Sequence, residues 1–289
     1  TLFDRQYFSY LSYLFLIDSN RYKRFWQSAT VHYNNIWNVP AAIRILSIIG
    51  SIWRTGVLIR HERLIPNSTY SLSLKMLDTI GYWDTDVIPE DYRIFFKAFY
   101  KLGGGVSAEP IFLKTSMDAA QSTSYMRSLM NKYEQEKRWA WGVSDDPLFI
   151  KWWLTVPNIS FFAKTSYLVR VISDHFLWPV NWFIITIGAN IIPIVNPVFT
   201  RTALGYNLPK LSSIVLTSCL LALIVMIVID YRQRPKRPAY VSRIRYVLLP
   251  FEFILMPIAG LFLSALPGLI AHIRLMLGKR MEYKVTDKV

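Results

Sequence analysis

Cysteine is almost absent from this 289-residue chain: Cys219 stands alone, inside an apolar run. That excludes a disulfide-stapled scaffold and any zinc site of Cys/His spacing. Histidine is scarce as well, four residues scattered without ligand spacing, and a structural role is expected for each. Acidic residues number 19 against 33 Lys and Arg, which leaves a net charge of +14. No strand followed by a Gly-rich phosphate loop is found, and no secretory h-region opens the chain. The first residue is Thr1 rather than Met, which reads as a fragment or a processed product. What is abundant is apolar surface, 53% of residues. Strong basicity with that much apolar content is unusual for a soluble domain and ordinary for a membrane protein with basic flanks. Nucleic-acid binding would also explain the charge. The apolar runs are too long and too concentrated toward the C-terminus for that, so no nucleic-acid partner is expected.

One stretch organises the reading: residues 124–142, SYMRSLMNKYEQEKRWAWG. It reads as one helix, with Tyr125, Met126, Leu129, Met130 and Tyr133 at helical spacing as a buried stripe. Near its end, Gln135, Arg138 and Trp139 share a face, being three and four residues apart. A guanidinium forks onto phosphate oxygens, and an indole stacks on a sugar ring. The plainer account is a core tryptophan beside a solvated arginine.

Ahead of it, residues 1–155 read as mixed α/β. Helices are expected over 6–17 and 40–58, the second started by Pro40. Asn34 and Asn35 fit a turn before a helix, or amides near a sugar or nucleotide. A short polar strand or loop is expected at 66–73, then a helix closed by Gly81. Glu90 and Asp91 follow Pro89 and open a helix to about residue 101, with a strand at 106–113. Both carboxylates are explained by helix-start preference alone. The free N–H groups there favour the anion, so a low pKa is expected for Asp91, lower than a good base for a hydroxyl wants. Asp84-Thr85-Asp86 has the letters of a D-x-D metal site, a very common pattern.

The spacing Q-x-x-R-W at 135–139 resembles the acceptor-site motif of membrane-bound family-two glycosyltransferases, the processive cellulose, chitin and hyaluronan synthases. Ile88-Pro89-Glu90-Asp91 stands where that family carries Thr-Glu-Asp, with proline for threonine, and residues 81–86 are similar to its approach. The tail Tyr283-x-Val285-Thr286-x-Lys288 looks like the family's gating loop, with tyrosine for phenylalanine. The resemblance implies a GT-A-like α/β portion, incomplete, over residues 1–155. Interfacial and transmembrane helices over 156–289 would follow. It implies Asp91 as general base with Glu90 beside it, and Gln135, Arg138 and Trp139 at the acceptor and diphosphate. Ser68 would lie at the acceptor turn, where Asn67 replaces the usual glycine. Tyr283, Val285, Thr286 and Lys288 would close over the nucleotide. Mg²⁺ or Mn²⁺ is expected in the intact protein, with ligands largely outside these residues. The family's nucleotide-binding strand and D-x-D should precede Thr1, and the piece alone is expected to be inactive.

Residues 157–174 read as a surface-lying helix, and 176–195 and 211–229 as spans. Basic residues at 232–245 place that side, and with it the α/β part, in the cytoplasm. Residues 246–272, broken by prolines and glycines, read as a re-entrant or interfacial helical hairpin. There Glu252 would be costly unless it faced protein or a polar path. An integral protein of the plasma or inner membrane is expected. It would use a nucleotide-sugar donor and a glycan or lipid acceptor to extend a β-linked polysaccharide with inversion. A transferase adding one sugar to a lipid or other acceptor is the alternative, and a non-catalytic membrane protein a third.

Overall fold

The computed structural model describes residues 1–282 and Thr286. Its sheet has four strands in the order β1–β4–β2–β3, where β1 is Leu2–Phe3, β2 Arg24–Val31, β3 Tyr70–Leu72 and β4 Ser107–Ser116. β2 and β4 run parallel; β1 and β3 are antiparallel edges. Sequence reading missed β2, because RFWQSATV does not alternate. Seven of its eight residues are buried, including Gln27, Ser28 and Thr30. A central strand covered on both faces loses the period-two signal.

The helices of the α/β part are α1 (Tyr7–Ile17), α2 (Ala41–Val57), α3 (Leu74–Ile80), α4 (Glu90–Lys101), α5 (Tyr125–Ala140) and α6 (Asp146–Thr155). Pro40 precedes α2, and Gly81 ends α3 at φ 83°. Ser124 caps α5 by accepting the Arg127 N–H. An aromatic core fills the space beside the sheet. Phe25, Phe95, Phe96, Phe99 and Phe149 are buried there with Tyr167 and Val171, and Phe96 stacks on Phe149 at 4.1 Å. Each buried ring contributes roughly 2–3 kcal/mol by area.

Beyond it lie α7 (Phe161–Phe183), α8 (Ala189–Val195), α9 (Ala203–Gln233), α10 (Arg243–Glu252), α11 (Met256–Gly260) and α12 (Leu266–Met276). α7 and α8 are joined through a π turn at Ile184–Gly188. A second core fastens this region to α2 and to the loop after β2: Tyr33, Ile36, Trp37 and Ile43 pack with Val241, Leu249, Phe253 and Leu263.

Among the described residues, three helical runs are long and apolar enough to cross a membrane: Ala41–Glu62, Ala203–Gln233 and Arg243–Met276. The first was read as an ordinary helix of the α/β part. The third corrects the expected hairpin. Helical turns run from α10 to α12 without a break; a 3-10 turn at Phe253–Leu255 and a π turn at Leu261–Ala265 absorb the prolines and glycines. Glu252 faces protein: Arg44 Nε of α2 meets its carboxylate at 3.0 Å, and Arg44 also donates to the Val39 carbonyl at 2.9 Å.

The paired amides are structural pins. Asn35 accepts the Ala119 N–H at 2.8 Å and donates to the Ala119 carbonyl and to Gln121. Asn34 donates to the Ser116 carbonyl.

Candidate functional site

α4 begins at Glu90 with Pro89 ahead of it, so Asp91 lies in the first turn. Its Oδ2 accepts the Ser68 N–H at 2.8 Å. Ser68 holds φ at 56°, a left-handed conformation that suits glycine best. The turn is braced from the sheet, because the Asn67 N–H donates to Gln27 Oε1 of β2 at 2.7 Å. Thus β2, the 67–68 turn and the start of α4 form one unit around the Asp91 carboxylate.

Burial pushes the Asp91 carboxyl up from its ordinary value to about 6; the Ser68 N–H pulls the other way, and the Glu90 charge adds a smaller upward push. This corrects the low pKa expected from the helix start. Loss of water outweighs the free N–H groups. The neighbouring hydroxyls are Tyr92, half-buried and pushed well above its ordinary range by loss of water, and Tyr70, pushed up by burial and bonded by the Trp83 indole at 2.8 Å. Glu90 is exposed.

α5 presents its faces the other way round from expectation. Ser128, Lys132, Gln135, Glu136 and Ala140 are buried, whereas Tyr125, Met126 and Met130 are 55–65% exposed. Leu129 and Tyr133 are half-buried against the second core. The apolar stripe therefore points mostly outward, and the polar face points into the protein. On that face, Arg138 Nη2 donates to the Thr286 hydroxyl at 2.5 Å, and Gln135 Nε2 reaches the same oxygen at 3.5 Å. Lys132 Nζ sits 2.5 Å from Glu136 and donates to Gln135 Oε1 at 3.3 Å. The Trp139 ring has Lys132 Nζ at 4.9 Å and the Arg54 guanidinium of α2 at 5.7 Å from its centroid. Tyr283, Val285 and Lys288 lie outside the described residues.

The start of α4 and the end of α5 adjoin. Ile88 packs with Ala140, Trp141 and Ala271. A Cβ on Gly142 would lie 3.4 Å from Pro89 Cγ and 3.2 Å from His175 Nε2. His175 bonds Asp146 at 2.7 Å and stacks against Tyr92 at 6.0 Å. The Arg54 charge acts on Tyr92 as well. So Asp91 with Ser68 forms one cluster, and Gln135, Arg138 and Thr286 form another beside Trp139. Arg54, Tyr92 and the Pro89–Gly142 contact bridge them.

Sequence reading missed Arg54, Lys132 and His175. The i,i+4 spacing of Lys132 and Glu136 was the one visible signal.

Asp84 and Asp86 do not fit a metal. Lys97 meets Asp84 at 2.7 Å and Arg93 meets Asp86 at 3.1 Å, so both carboxylates are already neutralised by cations. Arg93 also forks onto Asp145. Among the described residues no group of three His, Cys, Asp or Glu side chains suits an ion, and no step is assigned to one.

No curated protein and no solved structure matches the chain. Residues 58–267 match the family model described as Glycosyl transferase family group 2. Such enzymes move a sugar from an activated donor to an acceptor. The match begins just after α2, takes in Ser68, Asp91, Gln135, Arg138 and Trp139, and ends in α12. With most of its length covered, the chain belongs to glycosyl transferase family group 2.

Proposed function

We propose that the protein is an inverting, membrane-embedded glycosyltransferase of the processive β-glycan synthase type, with Asp91 as the general base. The Asp91 carboxyl is the observation that carries this. It is half-buried, held by a backbone N–H and pushed up to about 6, the range in which a base is ionised at neutral pH yet still takes a proton well. In the reaction, the acceptor hydroxyl oxygen attacks the anomeric carbon from the face opposite the diphosphate. The bond from that carbon to the phosphate oxygen breaks, and its electron pair leaves with the nucleoside diphosphate. The hydroxyl proton passes to Asp91. Arg138 and Gln135 meet the charge that grows on the diphosphate. Trp139 offers ring surface to the acceptor sugar, and Ser68 fixes the base. Glu90 adds negative charge beside it. Thr286, with Tyr283, Val285 and Lys288, closes the nucleotide side. A divalent cation, Mg²⁺ or Mn²⁺, would need ligands other than Asp84 and Asp86.

The α/β part would face the cytoplasm, where nucleotide sugars are made. The long apolar helices would hold the product's path, with most of α9 turned toward lipid, since none of its most apolar window is fully buried. The deciding experiment is Asp91→Asn in the full-length protein in native membranes, with labelled nucleotide sugars supplied. Loss of incorporation is expected, and wild-type-like incorporation would remove Asp91 as base. Product length separates repeated from single transfer: a ladder of long products supports the processive reading, and a single-sugar product replaces it with the simpler transferase.

A further inference from the structure

Among the described residues, Arg54 is the one cation over the Trp139 ring that sequence spacing does not link to α5. It stands in the last turn of α2. A cation there is favoured by the helix dipole, and that would explain a solvated side chain. The guanidinium, however, lies over the Trp139 ring at 5.7 Å. It follows the helix back toward Gly50, where an added Cβ would lie 3.0 Å from Arg54 Nη1. Glycine at 50 is what leaves the guanidinium that place. Lys132, on the same ring, has Glu136 at 2.5 Å. Arg54 makes no ion pair with a carboxylate among the described residues; Glu136 acts on it only through space. Arg54, Lys132 and Arg138 thus gather about Trp139 and Gln135, where Glu136 is already paired to Lys132. A partly desolvated cation without a paired anion is costly unless a ligand supplies the charge. Two guanidinia on separate helices match the several oxygens of a diphosphate better than one carboxylate.

We infer that Arg54 is a second guanidinium for the leaving diphosphate, reaching it from α2 across the Trp139 ring while Arg138 holds it from α5. The inference rests on the reading of α5 as the diphosphate-binding face, and it adds a residue to the site from a helix that lies largely before the matched family segment. As the sugar–phosphate bond breaks, the charge that collects on the diphosphate is shared between the two forks. No proton is transferred by either.

The test is calorimetric titration of the purified full-length protein with inorganic pyrophosphate and with UDP, using uridine as the control lacking phosphate. Arg54→Met is expected to weaken pyrophosphate and UDP binding about tenfold or more, and Arg54→Lys to recover part of the loss. Gly50→Ala keeps the charge but pushes the guanidinium aside. It is expected to weaken binding several-fold at unchanged or raised thermal stability. Should Arg54→Met fail to fold, Gly50→Ala and Arg54→Lys carry the test. If Arg54 and Gly50 variants bind like wild type while Arg138→Met loses affinity, Arg54 is no phosphate ligand and the reading of α5 stands. If Arg138→Met also binds like wild type, or the wild type binds neither pyrophosphate nor UDP, both are overturned.

Discussion

α5 and α9 break the usual inside–outside rule in opposite directions. α5 hides Lys132, Gln135 and Glu136 and shows Met126 and Met130. α9 shows apolar side chains over most of its surface: its best window has a mean hydropathy of 2.7 and none of it is fully buried, although Leu223 and Ile227 rest half-buried against the second core. In a water-facing protein each would be an error, since buried charges and open apolar faces both cost free energy. The two departures mark different functions. Buried, mutually bonded polar groups mark a place where charge is to be met. On the proposed reading, a broad exposed apolar surface is where lipid would be the solvent. The distinction is a matter of partners: the polar groups of α5 find Thr286, Glu136 and Trp139 inside the protein, whereas most of the apolar side chains of α9, Leu221 and Ile224 among them, are exposed.

The most severe test of the polar side is Asp91→Asn. Transfer is expected to fall by ~10²–10⁴-fold, the usual worth of a positioned base, measured as labelled sugar incorporated per mole of protein in membranes. The same variant is expected to be more stable than wild type at pH 8. The Asp91 pKa is raised from 3.8 to about 6. The stability it contributes is therefore full below pH 4 and lost as pH rises through about 6. A neutral amide removes the charged form and regains about 1–2 kcal/mol, discounted for partial exposure. Thermal unfolding at pH 5 and pH 8 checks the sign, and the wild-type transfer rate should show a rising limb centred near pH 6.

Next in size is the ion pair that pins α2 to α10. Arg44→Met leaves half-buried Glu252 without its cation and is expected to cost ~3 kcal/mol, read from denaturation in detergent. Arg44→Met with Glu252→Gln is expected to recover most of that loss.

On the apolar side, Leu221 of α9 is 68% exposed. Leu221→Arg is expected to cost ~2.5–3.5 kcal/mol of membrane insertion, read as the fraction of protein resisting alkaline extraction. A cost within about 0.5 kcal/mol would mean that α9 faces water, and the contrast with α5 would fall. The smallest effects sharpen α5 itself. Lys132→Met strands Glu136 and is expected to cost about 1–3 kcal/mol. Met130→Gln, on the outward face, is expected to change stability by less than about 0.5 kcal/mol. Equal costs at both positions would show that the helix is turned the other way.

Local chemistry was legible where it repeated or punctuated. The helix at 90–101 followed from Pro89 and two acids, and the one at 125–140 from Ser124 and helical spacing. The end of α3 followed from Gly81. The strand β2 was not legible, since Gln27, Ser28 and Thr30 look like loop residues until the strands beside them are known. The continuity of 243–276 was hidden by its prolines, which a helix tolerates when 3-10 and π turns re-pair the freed groups. The orientation of α5 was inverted, because an apolar stripe says which side chains share a face and not what lies opposite that face.

The sequence by itself determined which groups this protein has to work with. A carboxylate follows a proline at a helix start, an amide, a guanidinium and an indole share one turn, and long uncharged runs follow. Helical spacing and transfer free energy depend only on neighbours along the chain and on the solvent, so these are fixed before folding. Only the tertiary structure decided the Asp91 pKa, the place of Arg54 over Trp139 and the pairing of Arg44 with Glu252. Each of these depends on groups 23 to 208 residues apart that meet when water is expelled between them. No local pattern encodes how much water is lost at such a meeting.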